Sequence, residues 1–228
     1  MKCLILAGGF GTRLYPLTIT KAKSLLEYKG KPVLTHIVDK VPQGIDILVS
    51  TNRKFEADFH SWQSSIYRQV EICVENASTE EQKAGAVSSL KYWVDRKNIT
   101  EDLLVIAGDN YFEFALSQFI AAYNGKDTIV AVYDIGDKSK ASQFGAVSLY
   151  QNRIVEFIEK PAYPASSLIA TAIYILPQRV FPILAKYCAE EKKDSLGSFI
   201  SYLVNTDEVH ASVFAESWLD VGSGAGYS

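Results

Sequence analysis

The chain has 228 residues, 48% of them hydrophobic, and a formal net charge of −3. That supplies apolar material for one large core and excludes a protein built to coat nucleic acid. Its three cysteines (Cys3, Cys73, Cys188) and three histidines (His36, His60, His210) are scattered without disulfide or metal-ligand spacing, so a reduced, cytoplasmic setting is expected.

The first apolar run, Cys3-Leu4-Ile5-Leu6-Ala7, has the length of a buried strand and ends in a glycine-rich turn. It is too short for a membrane span or a signal segment. Residues 32–41 read as a helix, with Pro32 in its first turn and Val33, Leu34, Ile37, Val38 and Val41 on one face. Buried strands follow over 45–50, 70–74 and 103–107, separated by helices over 54–68 and 84–94. This alternation predicts an α/β, Rossmann-like, mostly parallel sheet with helices on both faces and ligands at the carboxyl ends of its strands. Past residue 127 the strand-like stretches 128–133, 145–150, 154–158 and 168–176 lie close together. They predict a partly antiparallel extension. Helices over 177–186 and 196–204 and a strand over 209–214 complete a single domain over 1–228, sub-divided near 127.

The turn after the first strand reads Leu6-Ala7-Gly8-Gly9-Phe10-Gly11-Thr12-Arg13-Leu14. Backbone N–H groups of such a turn form an anion-binding concavity where no side chain blocks approach. Arg13, Lys21, Lys23, Lys29 and Lys31 follow, with no acid until Glu27. Glycines beside clustered cations suit a polyphosphate. Position 14 holds Leu rather than the third glycine of a dinucleotide fingerprint, and the Gly-Lys-Ser/Thr ending of a Walker A loop is absent. Further on, Asp109 closes a buried strand in Gly108-Asp109-Asn110, Glu159-Lys160-Pro161 ends another, and Asp220 lies in Trp218-Leu219-Asp220-Val221-Gly222. Each has a plain alternative: Arg13 as a solvated loop arginine, Asp109 as a turn cap, Glu159-Lys160 as a surface ion pair.

The composite from Gly8 through Thr18, then Lys23, Leu25-Leu26 and Gly30-Lys31-Pro32, resembles the sugar nucleotidylyltransferases, which join a nucleoside triphosphate to a sugar 1-phosphate and release pyrophosphate. The resemblance covers nearly the whole chain, without the helices or left-handed β-helix that continue longer relatives. It implies a nucleotide-binding half over 1–126 and a sugar-phosphate half over 127–228. By resemblance, Leu6, Ala7, Gly8, Gly9, Gly11 and Thr12 line the nucleotide. Arg13 holds its β- and γ-phosphates and Lys23 its α-phosphate. Asp109 and Asp220 bind Mg2+ as the cofactor. Glu159 bonds sugar hydroxyls, Lys160 holds the acceptor phosphate, and Gly145, Thr171 and Tyr174 border that pocket. No general base is required, because the attacking phosphate is already ionised.

The chain departs from the family pattern at Ala22, Ser24 and Glu27, where Pro is frequent, and at Ala172, where Gly is usual. The base-reading segment is the poorest match, Glu81-Gln82-Lys83-Ala84-Gly85-Ala86. There Gly85 is expected to let the base approach and Gln82 to pair with a pyrimidine edge, while Glu80 and Glu81 serve equally as acids at a helix N-terminus. The resemblance implies glucose 1-phosphate with dTTP or UTP. Mannose 1-phosphate with GTP, phosphocholine with CTP, and a non-catalytic nucleotide-sugar-binding protein are the alternatives. Neither nucleic acid nor membrane is an expected partner, and a monomer or small homo-oligomer is.

Overall fold

In chain order the strands and helices are β1 (Lys2–Leu6), β2 (Glu27–Tyr28), β3 (Lys31–Pro32), α1 (Val33–Lys40), β4 (Asp46–Asn52), α2 (Glu56–Ser65), β5 (Glu71–Glu75), α3 (Ala86–Arg96), β6 (Leu103–Ala107) and β7 (Asn110–Phe112). There follow α4 (Leu116–Ala121), β8 (Thr128–Asp134), α5 (Lys138–Ala141), β9 (Gly145–Tyr150), β10 (Arg153–Glu159), β11 (Leu168–Leu176), α6 (Phe181–Glu190), α7 (Leu196–Thr206), β12 (Val209–Phe214) and β13 (Trp218–Asp220). The computed structural model describes residues 1–190 and 194–221. The fold is mixed α/β with a mostly parallel central sheet, as the strand–helix alternation predicts.

The chain forms two compact units. The first takes residues 1–84, 105–117 and 217–228. Here β5, β4, β1 and β6 lie side by side, with β4 parallel to both β1 and β5. Cys3, Leu4 and Ile5 are wholly buried in succession, the mark of a strand covered on both faces. Leu34 and Ile37 of α1 and Phe59 of α2 are equally buried, each such side chain contributing about 1.5–3 kcal/mol. Trp62 Nε1 donates to Thr35 Oγ1 at 2.8 Å, tying α2 to α1. The second helix is shorter than the expected 54–68. Asn52 Oδ1 accepts from Phe55 N at 3.2 Å and sets a 3-10 turn before it. Beyond it, Arg68 is drawn off to the Pro42 and Ile45 carbonyls at 2.9 and 2.8 Å.

The second unit takes 85–104 and 118–216. Its strands run in the order β11, β8, β12, β10, β9, and β9 also pairs with β11. Only β8 and β12 run parallel among the register pairs of this unit; β11–β8, β12–β10, β10–β9 and β11–β9 are antiparallel. This is the expected antiparallel extension. Val87, Leu90, Trp93 and Val94 of α3 and Leu196, Phe199, Ile200 and Leu203 of α7 form buried faces at helical spacing.

Candidate active site

The glycine turn of the first unit is built from the carboxyl end of β1. Ala7 N donates to Ser50 O at 2.9 Å, and Asn52 Nδ2 donates to Gly8 O at 2.9 Å, so β4 fixes where the turn leaves the sheet. Gly11 adopts φ 67°, and a Cβ there would meet Thr18 at 3.0 Å. Thr18, wholly buried, donates from Oγ1 to Gly11 O at 2.6 Å. Gly11 is therefore required twice, by its left-handed backbone and by Thr18. Thr12 and Arg13 stand exposed on the 3-10 turn that follows, Gly9 is exposed, and Leu6 and Gly8 are half-buried.

Beside this turn β6 is followed by Gly108, whose N–H donates to Leu6 O at 2.8 Å. A Cβ at 108 would lie 2.8 Å from Ala7 Cβ, so the glycine lets β6 deliver Asp109 close to the turn. The next three residues form β7, which pairs antiparallel with β13, Asn110 opposite Asp220. Asn110, 2% exposed, accepts from Trp218 Nε1 at 2.7 Å and donates to Ala107 O at 3.2 Å. Val221 N donates to Asp109 O at 3.0 Å. This ribbon brings together two aspartates distant in sequence. Lys23 Nζ lies 2.5 Å from Asp109 Oδ2 and 3.4 Å from Asp220 Oδ1. Burial opposes the charge on Lys23, but the two carboxylates outweigh it and raise its pKa above the usual lysine value.

Two carboxylates balanced by one ammonium make a donor set of the kind magnesium uses, with water and phosphate oxygens completing its shell. Among the described residues no group of three or more His, Cys, Asp or Glu could hold an ion without such help. Asp109 and Asp220 thus fit a cation shared with a substrate.

In the second unit, β10 ends at Glu159 opposite Gly145. A Cβ at Gly145 would strike Phe157 Cζ at 2.3 Å and stand 3.3 Å from Glu159 Oε2. A Cβ at Gly197, in the first turn of α7, would lie 1.8 Å from the same oxygen. Two glycines therefore leave the space Glu159 fills. Its burial raises the carboxyl's pKa above the usual range, partly offset by Lys160. Lys160 is exposed, with φ 48° and its N–H donating to Phe144 O at 2.9 Å. Thr171 and Tyr174 are placed differently from an open pocket wall. Thr171, 1% exposed, donates from Oγ1 to Ala131 O at 2.9 Å, and Tyr174 is 2% exposed, its phenol pushed upward by burial and by the Glu159 charge. Between them a bulge in β11 carries Ala172 at φ 57°, a conformation that suits glycine better.

Gln82 is exposed in a 3-10 turn, and its Oε1 accepts from Ser78 N at 2.9 Å. Gly85 lies against Asp194, whose Cγ would be 2.1 Å from a Cβ at this position.

A family model described as nucleotidyl transferase matches residues 2–228. The chain belongs to the nucleotidyl transferase family. The resemblance read from the N-terminal motif therefore holds. The chain is 31% identical over 229 residues to the bifunctional protein GlmU of Methanocaldococcus jannaschii, covering 97% of this chain and 51% of that one. It is 28% identical over 229 residues to the UTP–glucose-1-phosphate uridylyltransferase AglF of Haloferax volcanii, covering 97% and 91%. A solved structure described as a glucose-1-phosphate thymidylyltransferase from Bacillus anthracis, in complex with a sucrose, has a TM-score of 0.84 at 26% identity, covering 99% of this chain and 92% of that one. The chain spans about half the length of the GlmU proteins it matches.

Sequence reasoning missed several residues of this nucleotidyl transferase chain. Glu75, 9% exposed at the end of β5, stands near Gly8, its Oε1 3.8 Å from where a Cβ of Gly8 would be. The cations near the turn are therefore not the only charges there. The only advance signal was its place at the carboxyl end of a buried strand. A wide cavity of about 1190 Å3 opens at the opposite ends of these strands, lined by Lys2, Asp46, Arg68 and Glu71. Its walls are self-paired, Lys2 with Asp46 at 2.9 Å and Arg68 with backbone carbonyls, and it holds none of the residues above. Among the described residues no helix is long and apolar enough to cross a membrane.

Proposed function

We propose that this chain is a cytoplasmic sugar-1-phosphate nucleotidylyltransferase that uses Mg2+. The observation that carries the reading is the meeting of Lys23, Asp109 and Asp220 beside a glycine turn at the carboxyl ends of β1 and β6. A phosphate oxygen of the sugar 1-phosphate attacks the α-phosphorus, the bond from that phosphorus to the bridging oxygen breaks, and pyrophosphate leaves with the electron pair. The chain's work is orientation and charge stabilisation. The turn's N–H groups hold the triphosphate. Arg13, exposed and paired with no carboxylate among the described residues, grips the leaving phosphates in a bidentate manner. Lys23 turns from the carboxylates to the α-phosphate. Asp109 and Asp220 hold the metal, which when bound neutralises charge on the phosphates. Glu159 accepts from sugar hydroxyls and Lys160 meets the acceptor phosphate.

Glucose 1-phosphate with UTP or dTTP is the favoured pair, supported by the likeness to the Haloferax uridylyltransferase and the Bacillus thymidylyltransferase. The test is pyrophosphate release with UTP, dTTP, GTP, CTP and ATP, each against several sugar 1-phosphates and phosphocholine. Magnesium-dependent release with at least one sugar 1-phosphate is expected. Tight binding of a nucleotide sugar with no release in any combination would sink the catalytic reading.

A further inference from the structure

Strands β2 and β3 are joined by a two-residue turn, Lys29-Gly30, with Glu27 opposite Pro32 and Tyr28 opposite Lys31. Lys29 has φ 47° and Gly30 φ 83°. Positive φ at both places marks a type I′ turn, whose usual filling is Asn-Gly, Asp-Gly or Gly-Gly. A lysine at the first place holds a left-handed backbone at a cost in local strain. Such strain persists where the surroundings require that residue. Here the side chain supplies the reason.

Lys29 Nζ donates to Glu113 Oε1 at 2.7 Å and to Tyr111 OH at 3.2 Å, and Tyr111 OH donates to the same Glu113 oxygen at 2.8 Å. Lys29 Nζ also stands 4.8 Å from the centre of the Tyr111 ring. Tyr111 is buried and meets the Tyr28 and His36 rings edge-on at 4.7 and 5.1 Å. An ion pair between half-exposed groups such as Lys29 and Glu113 is weak by itself; the buried phenol shared by both gives this one a fixed direction. The segment from Lys23 to Lys29 is thus fastened at both ends to the segment from Asp109 to Glu113, Lys23 to Asp109 and Lys29 to Tyr111 and Glu113. Between these ends Leu26 N donates to Lys23 O at 3.2 Å, Val33 N donates to Leu26 O at 3.0 Å, and Leu25 and Leu26 are buried, so the span has little slack.

We propose that Lys29 is a positioning residue: by fastening the β2–β3 hairpin to Tyr111 and Glu113, it fixes where Lys23 stands between Asp109 and Asp220. The kinetic side of this inference rests on the transferase reading. Lys29 acts through Lys23 and touches no reacting group. The strained turn is the trace of that role, since a lysine kept for charge alone has no need of a left-handed backbone.

The test sets the turn against the contact. Lys29→Asn installs a residue that the type I′ turn favours and removes both contacts, whereas Lys29→Arg keeps a cationic donor. Each full-length variant is compared with wild type by differential scanning fluorimetry, by calorimetric titration with UTP, dTTP, GTP and CTP in turn with magnesium present, and by steady-state pyrophosphate release. Lys29→Asn is expected to melt within about 3 °C of wild type, the better turn offsetting a half-exposed ion pair. Its kcat falls about tenfold and its Kd for the preferred triphosphate rises about fivefold, the scale of a lost charged hydrogen bond. The KM for the sugar 1-phosphate changes less than about twofold. Lys29→Arg stays within about twofold of wild type in both kcat and Kd, because its donors still reach Tyr111 and Glu113. In a Lys23→Met background Lys29→Asn costs nothing further, because its effect passes through Lys23. Wild-type Kd and kcat in Lys29→Asn would overturn the proposal. So would a loss that persists undiminished in the Lys23→Met background, or one that comes with a melting temperature below that range, which would make Lys29 a structural residue. If the wild-type chain binds a triphosphate but turns nothing over, the transferase reading falls, and the affinities of the same four proteins decide whether Lys29 acts through Lys23. Wild-type protein that binds none of the four triphosphates overturns both.

Discussion

Lys23 Nζ stands 2.5 Å from Asp109 Oδ2 and 3.4 Å from Asp220 Oδ1, so one ammonium sits where the two carboxylates converge. A cation held by Asp109 and Asp220 would compete with that ammonium for the carboxylates and leave Lys23 free for a phosphate. Lys23→Met is therefore expected to lower turnover by about 10²-fold or more, the scale of one preorganised electrostatic contact. Magnesium should at the same time raise the melting temperature of the variant more than that of the wild type. Equal shifts in differential scanning fluorimetry would show that Lys23 does not compete for the site. The pH sign follows from the raised Lys23 pKa: its stabilisation is whole below the ordinary lysine value and is lost only as pH rises above about 10.

Asp109 and Asp220 converge on Lys23 Nζ and, as the proposed holders of one metal ion, are expected to act as a unit. Asp109→Asn and Asp220→Asn each remove one charge while keeping shape, and each should slow turnover by about 10²-fold or more. The double variant should be little worse than the poorer single one. A double-mutant cycle with fully additive losses would break the shared site, and a healthy Asp220→Asn enzyme would leave Asp220 a structural residue of the β7–β13 ribbon.

Arg13 stands exposed on the 3-10 turn beyond Gly11, with no carboxylate partner among the described residues. Arg13→Lys keeps the charge and loses the planar fork, so turnover is expected to fall by about 10²-fold or more with the melting temperature unchanged. Wild-type rates in that variant would make Arg13 a bystander.

Residues that carry their own local signal were legible in the sequence. β6, β9, β11 and β12 begin and end where the apolar runs do, because each run is bounded by residues that stop a ladder or open a turn. The glycine turn was legible for the same reason. The β7–β13 ribbon was not, since Asn110 and Trp218 meet across 108 residues of chain and neither segment reads as a strand alone. Asp194 was hidden likewise: a cap normally precedes its helix, and this one lies 107 residues beyond the Val87 N–H that it accepts from. Helices α4 and α5 are too short to show a period. Thr171 and Tyr174, which the resemblance places at the border of the acceptor pocket, are buried on either side of the β11 bulge, a feature no sequence pattern announces.

Gly197 gives the acceptor side a test that leaves the nucleotide side alone. A methyl at this position would overlap Glu159 Oε2 at 1.8 Å and force the carboxylate to move. Gly197→Ala is expected to raise the KM for the sugar 1-phosphate about tenfold, the scale of a lost charged hydrogen bond, with the triphosphate Kd unchanged. If both affinities fall together, α7 has shifted as a body and Glu159 is not the sole cause.

Glu159 itself carries a conflict between stability and function that can be read by pH. Burial raises its pKa, with Lys160 opposing, so the folded chain binds this proton more tightly than the unfolded chain. A carboxyl raised in this way lends its stability below its ordinary value of about 4.3, and that stability is lost as pH climbs through the raised value. Where it is ionised, the side chain is a burden on the folded protein, one that a hydroxyl donated by a bound sugar would relieve. Glu159→Gln keeps the shape and removes the charge. The variant is expected to melt higher than wild type at pH 7, the gap closing towards pH 4, while the KM for the sugar 1-phosphate rises about tenfold, as for loss of a hydrogen bond to a charged group. A variant that melts lower than wild type at pH 7 would show that the carboxylate has a stabilising partner within the chain. An unchanged KM with the higher melting temperature would remove Glu159 from the acceptor site and leave its burial beside Gly145 and Gly197 a feature of packing alone.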